Sequence, residues 1–97
     1  MAMGITEKVS FMLDRAKQGN CSEKDLQTII SFANLFSDDM ILGRVFGYSI
    51  GAYAIATLKW INRANTLKAF KELYNNLTKQ QKLEVDELIQ RELYLQY

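Results

Sequence analysis

The carboxylates of this chain come in close groups: Asp38-Asp39, Glu23 with Asp25, and Glu84, Asp86 and Glu87. Two carboxylates held face to face could share a proton, and several together could hold a divalent cation. Residues one or two apart on a helix do not face each other, however, and Asp38-Asp39 falls where a helix cap is expected. None of the 97 residues is histidine, which removes the commonest general base and the commonest transition-metal ligand. The serines and threonines therefore lack the usual base that would make one of them a nucleophile. Cys21, the single cysteine, lies near a predicted helix start, where a thiol pKa can fall. It has no base beside it, and alone it makes neither a disulfide nor a thiolate metal centre. No Gly-rich phosphate loop follows a strand. The expectation is a non-enzyme, with no catalytic, cofactor-binding or metal site.

Charge narrows the partners. Twelve basic and eleven acidic residues leave a net charge of +1, far from the basic excess usual in nucleic-acid binders. Lys59, Arg63, Lys68 and Lys71, followed by Lys79 and Lys82, are opposed only by Glu72 within their stretch. They are candidates for electrostatic steering of an acidic partner. The start, MAMGITEKVSF, has no basic segment leading into an apolar run, so no secretory signal is read there. A cytoplasmic protein with a reduced thiol is expected.

The elements that must position any surface are helices. Proline is absent, and no run alternates with period two over a strand's length. Ile5, Val9, Met12, Leu13 and Ala16 recur at helical spacing, with Thr6 as the expected cap and Gly19-Asn20 as the stop. Ser22 with Asp25 reads as a cap before Leu26, Ile29, Ile30 and Ala33. Ser37 or Asp38 is expected to cap a third helix, apolar on nearly all sides, over about 38–63. Asn65 is expected to cap a fourth helix carrying Leu67, Phe70, Tyr74 and Leu77. Thr78 with Gln81 is expected to cap a fifth, carrying Val85, Leu88, Ile89 and Leu93. The prediction is an all-α single domain over 1–97, a compact bundle of about five helices around that central one.

Three of the five glycines, Gly43, Gly47 and Gly51, are spaced every fourth residue in GRVFGYSIGAYAIA. The uncharged stretch from Val45 to Leu58 is shorter than the ~20 apolar residues a spanning helix needs, so no membrane segment is read. A helix-turn-helix would place Gly47–Ser49 in the turn and Ile50–Ile61 in the DNA groove. Its leading residues, Ile50 to Ala56, include no side chain that reads base edges well. The preferred reading is close helix packing along Gly43, Gly47 and Gly51.

Phe11, Phe32, Leu35 and Tyr94 lie off the apolar stripes of their helices and are the candidate partner interface. Elimination therefore points to a small protein that binds another protein, as an inhibitor, immunity protein or antitoxin does, with a homodimer also considered. The alternatives are a helix-turn-helix-like DNA-binding regulator over about 40–61 and a self-assembling helical structural subunit.

Overall fold

A computed structural model of the chain describes residues 3–39 and 41–96. Five α-helices follow one another: α1 (Ile5–Gln18), α2 (Glu23–Ser31), α3 (Ile50–Ile61), α4 (Ala64–Asn75) and α5 (Lys79–Arg91). A short 3-10 turn, Leu93–Gln96, follows α5, and a two-stranded antiparallel hairpin, β1 (Arg44–Val45) and β2 (Tyr48–Ser49), leads into α3. The all-α bundle is as expected, and α3 is its axis, packing against α1, α2, α4 and α5. From Ile50 to Leu58 every residue of α3 is buried. Burying each large aliphatic there contributes about 1.5–3 kcal/mol. Thr57 alone breaks the apolar pattern: its Oγ1 is buried with no hydrogen-bond partner among the described residues.

The helix boundaries follow local chemistry. Ser22 Oγ accepts the Asp25 N–H at 3.1 Å, and Thr78 and Gln81 bond each other's backbone N–H at 3.1 and 3.0 Å, both as expected. Gly19 ends α1 at the expected stop, in the left-handed conformation at φ 74. Other boundaries differ: Ala33, Leu77 and Leu93, expected within helices, lie beyond the ends of α2, α4 and α5. Gly4, not Thr6, caps α1, with Glu7 reaching back to its N–H. Arg63, not Asn65, caps α4, because Thr66 Oγ1 takes the Arg63 N–H at 3.0 Å.

The largest difference is the central helix. It begins at Ile50 rather than near 38, and 41–49 is turn and hairpin. The three glycines therefore share no helix face, and the expected stripe does not exist. Gly47, at φ 86, is a hairpin-turn residue. Gly43 sits before β1, where a Cβ would collide with the Ser37 side chain. Gly51 alone does what close packing requires. A Cβ there would lie 2.7 Å from the Phe36 ring and 2.9 Å from the Ala33 carbonyl oxygen. Its N–H instead reaches the Leu35 carbonyl at 2.9 Å. The chain leaving α2 thus crosses against the first turn of α3.

Candidate functional site

Between α2 and α3 the chain makes an excursion whose backbone is fastened locally. Ser37 Oγ accepts the Asp39 N–H at 3.0 Å, and Asp39 Oδ1 accepts those of Ile41 and Leu42 at 2.9 Å each. These backbone bonds, Leu42's first, hold the Asp39 carboxyl below its ordinary pKa. The turn so formed presents Ile41 and Leu42 side by side. The hairpin then pairs Arg44 with Ser49 and Val45 with Tyr48. Its two-residue loop, Phe46-Gly47, has φ 54 and φ 86, both positive as in a type I′ turn. Asparagine commonly fills the first position of such turns. A phenylalanine held there costs about 1–3 kcal/mol of backbone strain.

A polar clamp ties the hairpin to the bundle. Arg44 folds back so that Nε donates to the Gly47 carbonyl at 3.0 Å, with Nη2 donating to the same oxygen. Its Nη1 donates to the Ser37 carbonyl at 2.8 Å and to Ser49 Oγ at 3.2 Å. From α5, Glu84 Oε2 accepts the Ser49 N–H at 2.7 Å, while Oε1 lies 3.5 Å from Arg44 Nη1. Ser49, at the N-cap of α3, turns its hydroxyl toward Ser37 instead of its own helix. Below the hairpin, Tyr53 OH donates to the Val45 carbonyl at 2.8 Å, and Arg91 Nη1 donates to Tyr48 OH at 3.0 Å. Burial, aided by Tyr48, pushes the Tyr53 phenol far above its ordinary pKa, and the Tyr48 bond raises that of Arg91. A polar cleft of about 430 Å³ opens beside the clamp, lined in part by Ser37, Arg44, Ser49 and Glu84. These four groups already bond one another, so the arrangement acts as a fastening.

What the fastening displays is apolar. Ile41 is 83% exposed, Leu42 73% and Phe46 77%, with Leu35 at 39% on the approach. The other exposed large apolar residues among those described are Leu83 (61%) on α5 and Leu95 (66%) in the terminal turn. Phe46 stands between two clefts. One, of about 420 Å³, is lined by Leu13, Phe46, Arg91, Leu93 and Gln96. The other, of about 450 Å³, includes Tyr48, Leu83, Glu87 and Arg91. Large apolar side chains held out in solvent on a fastened element are candidate contact residues.

The candidate interface read from the helical stripes is arranged differently. Phe11, Phe32 and Tyr94 are each half-buried and engaged by a separate neighbour. The Arg15 guanidinium lies 4.7 Å from the Phe11 ring centre, the Lys8 ammonium 5.4 Å from that of Phe32, and Trp60 5.1 Å from Tyr94. Of that set only Leu35 joins the excursion. The steering residues are exposed, but two of the four are engaged: Lys59 lies 5.5 Å from the Phe70 ring centre, and Arg63 Nε donates to the Gly19 carbonyl at 2.9 Å. Lys68 and Lys71 project from α4. The helix-turn-helix geometry is not formed, since 41–46 is not helical and α3 is buried but for Lys59 and half-buried Trp60. Ile41, Leu42 and Phe46 were missed because they were assigned to the central helix. The signal that could have placed them was Asp39 as a turn former ahead of two glycines.

Among the described residues no group of three potential metal ligands comes together, and no helix is long and apolar enough to cross a membrane. No family model, curated protein or solved structure matches the chain.

Proposed function

We propose that this protein is a small binding protein of the inhibitor, immunity or antitoxin kind, acting in the cytoplasm by covering a partner protein's surface through the excursion at 37–49. The observation that carries this reading is the pairing of a well-fastened backbone with exposed apolar side chains. Ile41 and Leu42 project from a turn held by Asp39, and Phe46 from a hairpin held by Arg44 and Glu84. Fixing these side chains before contact lowers the ordering cost of association. The chemistry implied for the partner is an apolar recess wide enough for two aliphatic side chains. Neither the polar cleft nor the carboxylate groups supplies a nucleophile with a base, so occlusion is the mechanism the geometry favours.

The test uses a photo-crosslinking amino acid at position 41 in the native host, with one at Glu72 on exposed α4 as control. The expected result is a discrete protein joined at 41 and not at 72. Its activity falls when purified native chain is added, and Ile41→Asp with Leu42→Asp abolishes the inhibition. Absence of any protein adduct at 41, or a joined partner indifferent to added chain, overturns the reading.

A further inference from the structure

We infer that the face around Phe46 is a self-complementary contact for a second copy of this chain, forming a weak two-fold dimer. The inference shares Phe46 with the occlusion reading but rests on the recess beside that ring and not on the Ile41–Leu42 turn. A two-fold contact places one patch against itself, so it needs a projection and a recess side by side. Phe46 is the projection, exposed at the hairpin tip. The recess beside it is apolar at Leu13 and Leu93, with Leu13 nearly fully buried. Leu83 shares the cleft on the other side of Phe46, and exposed Leu95 lies in the same turn as Leu93.

Charge selects the occupant. The rim carries Glu87 and Arg91, both exposed and one helical turn apart on α5. A copy related by a two-fold axis can set each Glu87 opposite the other copy's Arg91, forming two pairs. A strongly acidic or strongly basic partner would meet one repelling charge for every attracting one, whereas a single-sign rim would repel its own copy. The turn also keeps a strained phenylalanine where asparagine would fold more easily, which fits an anchor retained for contact. Only a few large side chains take part, so the interface falls at the small end of specific contacts, where transient association is usual.

Sedimentation equilibrium of the purified chain tests this without any other partner present. A reversible monomer–dimer equilibrium is expected. Phe46→Glu should raise the dissociation constant roughly thirtyfold or more, the effect of losing a central aromatic anchor, with an unchanged circular dichroism spectrum. Ile41→Ser should dimerise as the native chain does, and Glu87→Arg should weaken the dimer. A native chain that stays monomeric at high micromolar concentration overturns the inference. So does a dimer that tolerates Phe46→Glu, or one that Ile41→Ser disperses. A crosslinked partner at position 41 bears only on the occlusion reading, so either reading can fail alone.

Discussion

Residues 41–49 and 50–61 are consecutive, and both are rich in large apolar side chains, yet their fates are opposite. The second is the buried axis of the bundle, with Tyr53, Ile55 and Leu58 shut off from solvent. The first holds Ile41, Leu42 and Phe46 in water. Average hydrophobicity does not separate them. Backbone chemistry does. Asp39 caps only a single turn, closed by the Gly43 N–H on the Asp39 carbonyl at 3.1 Å, Gly43 and Gly47 lower helix propensity, and Arg44 closes the hairpin onto the Gly47 carbonyl. Ile50 to Ala56 offers no such competing side chain, and a helix there can bury all round. An apolar run is thus a core only where its backbone can also satisfy its hydrogen bonds in the interior.

The largest test of this contrast is a matched truncation. Leu58→Ala should destabilise the fold by about 2–5 kcal/mol, because a cavity opens in the axis. Ile41→Ala should stay within about 0.5 kcal/mol of the native chain, since its side chain is already in water. Chemical denaturation measures both, and comparable losses would place Ile41 in the core.

Phe46→Asn should move stability the other way. It relieves the left-handed strain at φ 54 and is expected to stabilise the fold by about 1 kcal/mol. The same substitution should remove self-association. A destabilised Phe46→Asn chain would mean that the ring contributes more to the fold than the turn loses.

The smallest effect is confined to the excursion. The folded-state pKa of Asp39 is lowered by its bonds to Leu42 and Ile41. Its contribution is therefore complete above the ordinary carboxylate pKa of about 3.9 and is lost as pH falls through the depressed value. The protection of the Ile41 and Leu42 amides against hydrogen exchange, relative to their intrinsic rates at each pH, should fall across that acid window while α3 stays protected. Asp39→Ala should show fast exchange at every pH, and Asp39→Asn should retain part of the protection through its amide oxygen. Unchanged exchange at Ile41 in Asp39→Ala would dismiss the turn.

Much of the bundle was legible in sequence because helical periodicity and caps are local. The stripes from Ile5 to Ala16 and from Leu26 to Ala33, and the Thr78–Gln81 cap, depend on neighbours three or four residues away. The exposed site was not legible, because hydropathy assigned Ile41, Leu42 and Phe46 inward. Phe11, Phe32 and Tyr94, which local periodicity left unexplained, found partial cover from Arg15, Lys8 and Trp60 on other turns or elements.

By itself the sequence determined an all-helical chain without the usual equipment for catalysis, because periodicity, capping and residue inventory are properties of the chain. It also determined that glycine at 43, 47 and 51 mattered. Only the tertiary structure decided why, and the reason differs at each. Gly43 leaves room for Ser37, Gly47 turns the hairpin, and Gly51 admits the Phe36 ring and the Ala33 carbonyl. The start of α3 was a tertiary decision as well. The Ser49 N–H is taken by Glu84, 35 residues further along the chain. An interaction across that separation leaves no periodic trace in the sequence, so the boundary between buried axis and exposed surface appeared only once α5 was packed against the hairpin.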